Sequence, residues 1–290
     1  MHGYMRSIGF RNIGRSELSA IFHDAMRHPD YSDTALDSEG YEYSELRKEI
    51  VSGMGIAFRG TYDENDRFVM DYYFPYREAN ALSTYAEVEM VKESDREGYL
   101  GLCEESRLGV DLIFFVQDMM VVLESEQRSS GKVDFGGVRL SGLASGGKIL
   151  FPIERTEQVI ADSRKQSSKR QELVAAARVG DQDAFEQLTL DDMDIYNSIA
   201  KRIGNEDVLT LVNTYFMPNG IEGDKYSILG EILDVKKILN HFTMEAIYIM
   251  SLNSNDMIFE ICINERDLLG VPAIGRRFKG DIWMQGKVRA

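Results

Sequence analysis

Alternation of apolar and polar side chains dominates the first half of the chain and predicts an antiparallel sheet. Residues 56–62 and 67–76 alternate in this way on either side of an acidic turn at 63–66, as the two strands of a hairpin do. Further strands are predicted at 85–91, 108–122, 138–140 and 148–153, the last two joined by a glycine-rich turn at 145–147.

One helix is predicted before this sheet. Residues 16–26 carry apolar side chains at helical spacing, and the polar, turn-rich residues 30–43 that follow predict a loop. Periodicity does not decide whether the apolar stretch 108–122 continues into a helix. The first region of the chain, residues 1–153, is therefore expected to have an α+β fold with an antiparallel sheet.

The pattern changes in residues 154–205, which predict a packed helical connector. Residues 171–179 are rich in alanine, and Gly180 breaks the helical pattern. A second helix is expected after a sequence that resembles a capping box, with Asp192 in place of the usual glutamate. One face of that helix would carry Met193, Tyr196, Ile199 and Ile203, and Gly204 would end it.

Residues 206–290 return to strand patterns. Strands are predicted at 226–235, 246–252, 257–263 and 279–286, and the first contains a central glycine. Several strands in so short a region favour a small barrel of OB-like type, and an open antiparallel sheet fits the pattern nearly as well. The chain is thus predicted to have an α+β domain at 1–153, a helical connector at 154–205 and a β-rich domain at 206–290.

The charge of the chain argues against polyanionic partners. The formal net charge of the 290 residues is −15, and most of it lies in residues 1–153, which should repel nucleic acid and anionic membranes. Residues 206–290 are closer to neutral and leave room for a local basic face. A protein partner is compatible with this pattern, and a nucleic-acid partner only through the C-terminal region.

The sequence favours a cytoplasmic protein without a membrane segment. The longest apolar run, residues 110–123, is interrupted by polar residues and is shorter than the roughly 18–20 residues of a membrane span. No signal-peptide apolar core follows the first residues. Cys103 and Cys262 belong to no paired motif and are expected to be small buried side chains in a reducing compartment.

No catalytic, metal or cofactor motif is complete. The four histidines are not spaced as zinc ligands, and no nucleophile elbow occurs. Ser145-Gly146-Gly147-Lys148 is not a phosphate loop, because Ile149 follows the lysine and the context is strand to strand. We therefore predict no cofactor and no metal, assign no catalytic residue, and favour a protein that is not an enzyme.

An aromatic row on the predicted hairpin is the first candidate binding surface. Strand alternation places Tyr72, Phe74 and Tyr76 on one face and Tyr73 on the other. Exposed, such a row could stack on a ligand ring or on bases. Half-buried sheet residues with hydrated hydroxyl groups are the more common outcome for this pattern, and we favour it.

A basic and aromatic cluster near the C-terminus is the second candidate. It combines Arg276, Arg277, Phe278, Lys279 and Trp283, residue types that bind single-stranded nucleic acid when they line a groove. The alternative is a positively charged strand edge that discourages edge pairing and pairs with nearby carboxylates. The acidity of the whole chain favours the second interpretation.

Several segments along the whole chain resemble a family of uncharacterised bacterial proteins that share a domain of unknown function. These segments are residues 1–10, 71–76, 107–110, 188–194, 226–230 and 275–283. The resemblance implies a bacterial, cytoplasmic protein of one recurring design. It carries no activity, cofactor or site residue with it.

Three hypotheses for function follow. The first is a non-enzymatic cytoplasmic binding or scaffolding protein, because the chain has ample core-forming pattern and no catalytic motif. The second is binding of single-stranded nucleic acid by the C-terminal region. The third is an enzyme whose site is assembled from the abundant carboxylates; a shared cleft with two carboxylates, one with a raised pKa, would favour it.

Overall fold

The structure is a computed structural model of the chain. It describes residues 2–37, 39–94, 96–105, 107–108, 110–128, 135–153, 169, 172–173, 175–177, 179–184, 186–188, 190–191 and 212–289.

A four-stranded antiparallel sheet forms the first layer. The 3₁₀ helix Gly3–Ile8 and helix α1, Arg15–Arg27, precede it along the chain. Its strands follow in sequential order: β1 Tyr31–Leu36, β2 Glu42–Val51, β3 Met54–Tyr62 and β4 Phe68–Arg77. The predicted hairpin at 56–62 and 67–76 is confirmed as β3 and β4. The predicted loop at 30–43 is wrong, because most of it forms β1 and the start of β2.

A ten-stranded sheet forms the second layer. Its strands are β5 Thr84–Lys92, β6 Tyr99–Glu105, β7 Val110–Val116, β8 Phe135–Leu150, β9 Tyr215–Pro218, β10 Lys225–Leu239, β11 Ala246–Ser254, β12 Met257–Asn264, β13 Leu268–Leu269 and β14 Arg277–Val288. Helix α2, Met119–Arg128, follows β7, and a 3₁₀ helix, Glu265–Asp267, follows β12. The described chain is thus mostly β-sheet with few helices. The sheets predicted on both sides of residues 154–205 are confirmed, and the α+β class is not.

Strand pairing in the ten-stranded sheet closes on itself twice, and we call each closed series of hydrogen-bonded strands a circuit. The long antiparallel pair β8 and β14 belongs to both circuits. One circuit runs from β8 through β5, β6 and β7 to β14, and the other from β8 through β12, β11 and β10 to β14. The OB-like barrel predicted for residues 206–290 is not confirmed, because the second circuit needs β8 from the first half of the chain. The antiparallel pairing expected for residues 1–153 is confirmed, because every described strand pair within that region is antiparallel. Parallel pairs join the two halves of the chain: β8 with β12 and with β13, and β7 with β14.

Strands from residues 1–153 and from residues 206–290 are therefore hydrogen-bonded within one sheet, and the division into three regions stays a prediction. Most of the predicted helical connector, including the helix after Asp191 and its C-cap Gly204, lies outside the described residues. Residues 175–177, 182–184 and 186–188 are helical.

Glycines that the sequence assigned to a turn lie inside a continuous strand. Residues 135–150 form β8 without interruption, and Gly147 lies opposite Gly280 of β14. A Cβ atom on Gly147 would come within 2.4 Å of the Phe278 ring. Glycine is needed there because the ring packs directly on the backbone, so the predicted hairpin at 138–153 is wrong.

Two apolar clusters hold the layers together. One is made mainly by the ten-stranded sheet and α2 and includes Phe114 and Phe278. The other lies between the two sheets, where Phe58 and Phe74 of the first sheet meet Phe115 and Trp283 of the second. The clefts described below open at the edges of this inter-sheet contact.

Candidate functional site

A cleft of about 410 Å³ opens between the four-stranded sheet, the start of α2 and the end of β14, and we name it the acidic cleft. It is lined by six carboxylates, two cations, two tyrosines and two apolar side chains: Asp30, Asp33, Glu45, Glu49, Glu78, Asp118, Arg47, Lys287, Tyr31, Tyr76, Met120 and Val121. Its volume is within the usual range of small-molecule sites.

The floor of the cleft is an ionic cluster set by strand register. Glu45 of β2 lies directly opposite Arg59 of β3, and Arg47 lies two residues along on the same face of β2. One Glu45 oxygen accepts from Arg47 Nε at 2.6 Å and the other from Arg59 Nε at 2.6 Å. Burial alone would raise the pKa of Glu45, but the two guanidinium groups hold that pKa below its ordinary value.

Arg59 is fully buried and fastens the two sheets to each other. Its other nitrogens donate to the Tyr72 hydroxyl at 2.8 Å and to the main-chain oxygens of Val116 and Gln117 at 3.3 and 2.9 Å. Its guanidinium carbon lies 4.7 Å from the centroid of the Phe74 ring. This side chain therefore belongs to the framework of the cleft and has no room for a ligand.

Arg47 continues the cluster toward solvent. It donates to Glu78 Oε1 at 2.5 Å and to the Gln117 main-chain oxygen at 2.9 Å, and the second Glu78 oxygen pairs with Lys287 at 3.1 Å. The Arg47 guanidinium carbon also lies 5.4 Å from the Tyr31 ring centroid and 5.1 Å from the Tyr76 ring centroid. Both cations of the cleft are thus engaged with carboxylates of the protein.

Asp118 is a buried carboxylate of the cleft with a raised pKa. It directly precedes α2, where its main-chain oxygen accepts from Val121 N, and its side chain accepts from Val288 N at 3.2 Å. Burial raises the pKa of Asp118 to about 6, although the Val288 N–H, Lys287 and Arg47 oppose the rise. A carboxyl group with this pKa gains or loses its proton in response to small changes nearby.

The rim carries further carboxylates. Asp30 accepts from Glu49 N at 2.8 Å and from Lys48 Nζ at 3.2 Å. Asp33 accepts from the Tyr31 hydroxyl at 2.8 Å and from Thr34 N at 2.9 Å. Within the described part of the chain, three carboxylates of the cleft form no ion pair: Asp33, Glu49 and Asp118.

A second cleft of about 540 Å³, the aromatic cleft, lies on another side of the inter-sheet contact. It is lined by His2, Gly3, Tyr4, Glu93, Arg96, Leu100, Glu222, Gly223, Asp224, Lys225 and Trp283. The Tyr4 and Trp283 rings are stacked with centroids 5.6 Å apart, and the Trp283 indole donates to Asp224 at 2.6 Å. Burial, together with Arg96 and Lys225, lowers the pKa of His2 to about 4, so its imidazole is neutral at physiological pH.

The structure places the predicted aromatic row on one face of β4, facing the buried arginines. Tyr72 and Phe74 contact Arg59, Tyr76 contacts Arg47, and Tyr73 points to the other face and packs on Phe22 of α1. The predicted alternation is therefore correct. Phe74 and Tyr76 are only 2% exposed, so the row is not a stacking surface.

The predicted basic and aromatic cluster is also part of the interior. Phe278 is completely buried and Trp283 nearly so, so neither ring can stack on a base. Arg277 is buried and donates to the main-chain oxygens of Phe151 and Val212 at 3.0 and 2.8 Å. Arg276 donates to Val271 O at 2.7 Å, and Lys279 lies over the Tyr215 ring. Burial thus removes the aromatic half of the nucleic-acid surface that the sequence suggested. Of the five residues, Trp283 lines one of the two clefts described above, the aromatic cleft.

The family described as a domain of unknown function from an E. rectale gene description (DUF3881) matches residues 5–286. The chain belongs to this family. The match confirms the resemblance to an uncharacterised bacterial family, and it spans strands of both sheets and every residue that lines the acidic cleft except Lys287. No curated protein and no solved structure matches the chain.

Sequence reasoning missed the residues that build the acidic cleft. Glu45, Arg47 and Arg59 were not singled out, although charged residues at inward strand positions are a sign of a buried ionic cluster. Arg59 stands inside the apolar run 56–62, where it interrupts the pattern of a core strand. Asp118 was noticed only as a break in the apolar run at 110–123.

Among the described residues, no group of three histidines, cysteines, aspartates or glutamates is placed to hold a metal ion. Likewise, no helix in the described ranges is long and apolar enough to cross a membrane. Cys103 and Cys262 are buried and unpaired.

Proposed function

We propose that this protein binds an organic cation, an ammonium or guanidinium group, in the acidic cleft. The observation that carries the proposal is the excess of negative charge: six carboxylates line the cleft, and the cations of the protein, Lys48 and Arg59 included, pair with only three of them, Asp30, Glu45 and Glu78. Asp33, Glu49 and Asp118 remain to receive a positive group from outside.

The walls of the cleft suit the same chemistry. The Tyr31 ring is 48% exposed at the cleft, and the guanidinium of Arg47 already lies against it and against the buried Tyr76 ring, so this wall accommodates a cation of the protein itself. Cations are attracted to such faces and form charge-assisted hydrogen bonds with carboxylates. An anionic ligand would meet net repulsion, which agrees with the charge of the whole chain.

A binding protein of the cytoplasm is the setting we propose for this site. The two buried, unpaired cysteines support a reducing compartment. Cation binding is compatible with the sequence-based hypothesis of a non-enzymatic binding protein. The proposed site is the acidic cleft, which Tyr76 lines, in place of the aromatic row.

Calorimetric titration with arginine amide tests the proposal. We expect saturable binding that weakens as salt is added, because the attraction is electrostatic. Asp33→Asn should weaken binding by about tenfold, the effect of losing one charge-assisted hydrogen bond. Glu64→Gln removes the same charge from an exposed turn outside the cleft and should leave the affinity unchanged. Equal binding by both variants, or none by the unmodified protein, would refute the proposal.

A carboxylate-based enzyme is the second candidate, and the raised pKa of Asp118 favours it. A buried carboxyl group with a pKa near 6, in a cleft shared with other carboxylates, has the acidity of a general acid. A panel of nitrophenyl esters, phosphates and glycosides tests this candidate. Turnover that disappears in Asp118→Asn would support it, and the absence of turnover across the panel would count against it.

A further inference from the structure

The acidic cleft continues into a longer groove between β1 and α2. A neighbouring cleft of about 320 Å³ is lined by Thr34, Ala35, Leu36, Glu42, Glu124, Gln127 and Arg128. The acidic cleft is bounded by residues 30–33 and 120–121, and the neighbouring cleft by residues 34–36 and 124–128. The two clefts therefore follow each other along the same two elements, and we call the whole the β1–α2 groove.

One wall of this groove is the edge of a sheet. β1 is the outermost strand of the four-stranded sheet, and its only strand partner in the described part of the chain is β2. The side-chain nitrogen of Gln127 on α2 donates to Leu36 O at 2.7 Å, so main-chain groups of this edge face the groove, and this one acceptor is already occupied. Edge strands with open main-chain groups are templates for an added strand.

The side chains along the groove set the chemistry of that strand. Tyr31 and Leu36 of β1 are 48% and 42% exposed, so β1 also offers apolar contact area. Glu42 and Glu124 add two carboxylates to the six of the acidic cleft, whereas Arg128 adds one cation, which is paired with Glu124. Most of the negative charge of the groove therefore lies in the acidic cleft, and the neighbouring cleft adds the carboxylate of Glu42, which forms no ion pair within the described ranges.

We propose that the β1–α2 groove binds an extended basic segment of a partner protein, which adds a strand to the free edge of β1 and places a lysine or arginine side chain in the acidic cleft. This inference rests on the proposed function, since the cation of the acidic cleft becomes a side chain of the added strand. Main-chain hydrogen bonds to β1 supply affinity, and the carboxylates select basic side chains.

The test uses a capped hexapeptide of alternating lysine and threonine, with arginine amide titrated in parallel. We expect the hexapeptide to bind at least about tenfold more tightly than arginine amide, because it adds main-chain hydrogen bonds. Methylation of alternate backbone nitrogens keeps the charge and removes the donors, and should reduce the affinity at least about tenfold. Replacing the lysines with glutamates should abolish binding.

Hydrogen exchange locates the added strand. The amides of residues 31–36 should gain protection with the hexapeptide and not with arginine amide. Asp33→Asn should weaken the hexapeptide, and Glu64→Gln should not. Equal affinity of the methylated and unmethylated hexapeptides, or no new protection in β1, would overturn the strand-addition proposal even where arginine amide binds. Failure of arginine amide to bind would instead refute the cation site itself.

Discussion

Replacement of Asp118 by asparagine should stabilise the protein at neutral pH. The carboxyl group of Asp118 has a folded-state pKa of about 6 against an ordinary value of 3.8. A difference of about two pKa units corresponds to about 3 kcal/mol of unfavourable free energy for the ionised group in the folded state. Asparagine keeps an oxygen that can accept from Val288 N and removes the buried charge.

The sign of the effect fixes its dependence on pH. The folded protein holds the Asp118 proton more tightly than the unfolded chain does. The protonated group therefore contributes fully to the free energy of unfolding below pH 3.8, and this contribution is lost as the pH rises through about 6. The asparagine variant does not titrate at this position. Its advantage in free energy of unfolding should therefore be close to zero near pH 4 and reach up to about 3 kcal/mol above pH 7.

Urea unfolding followed by tryptophan fluorescence measures this difference. Trp283 is the single tryptophan of the chain and lies in the inter-sheet contact, so its emission reports loss of that packing. Glu64→Gln, an exposed carboxylate outside both clefts, serves as the control and should change stability by less than about 0.5 kcal/mol at every pH. Two results would refute the raised pKa of Asp118: a difference in free energy of unfolding between Asp118→Asn and the unmodified protein that stays constant with pH, or a variant that is less stable at neutral pH.

Three further substitutions test the framework by the same unfolding assay. Arg59→Met removes the cation between the sheets and should cost about 3–5 kcal/mol, and a cost under about 1 kcal/mol would contradict its role. Gly147→Ala should cost about 1–3 kcal/mol of folding stability, because the new Cβ atom would meet the Phe278 ring. Gly146→Ala is the matched control and should cost clearly less, since its nearest new contact is at 4.0 Å. Equal costs for the two substitutions would refute the packing argument. Tyr226→Phe removes the hydroxyl that donates to Ile113 O and accepts from Ile113 N, and should cost about 1–3 kcal/mol of folding stability. An unchanged stability would show that water takes the place of the hydroxyl.

The sequence predicted well those strands whose alternation is strong. The hairpin of β3 and β4 and the face assignment of its tyrosines follow from a period of two, and the structure confirms both. Strand β1 was missed because an exposed edge strand carries a polar sequence, which reads as a loop. In β8 the glycines serve close packing instead of a turn, and a single sequence does not distinguish these uses.

The candidate site could not be predicted because it is assembled from distant segments. Residues 30–49 and 76–78 provide one wall of the acidic cleft, residues 118–121 another, and Lys287 comes from the last strand. Their meeting depends on the parallel pairing of β7 with β14 and on the contact between the two sheets. Alternation along one strand predicts faces but does not predict which strand becomes its neighbour.

The most direct test of the central claim is proton release when a cation enters the acidic cleft. A positive group beside Asp118 should lower its pKa, so binding of arginine amide near pH 6 should release a fraction of a proton. Titration calorimetry in two buffers of different ionisation enthalpy measures this release. We expect a heat of binding that depends on the buffer for the unmodified protein and not for Asp118→Asn. The same heat in both buffers for the unmodified protein, or an equal buffer dependence in the variant, would contradict it.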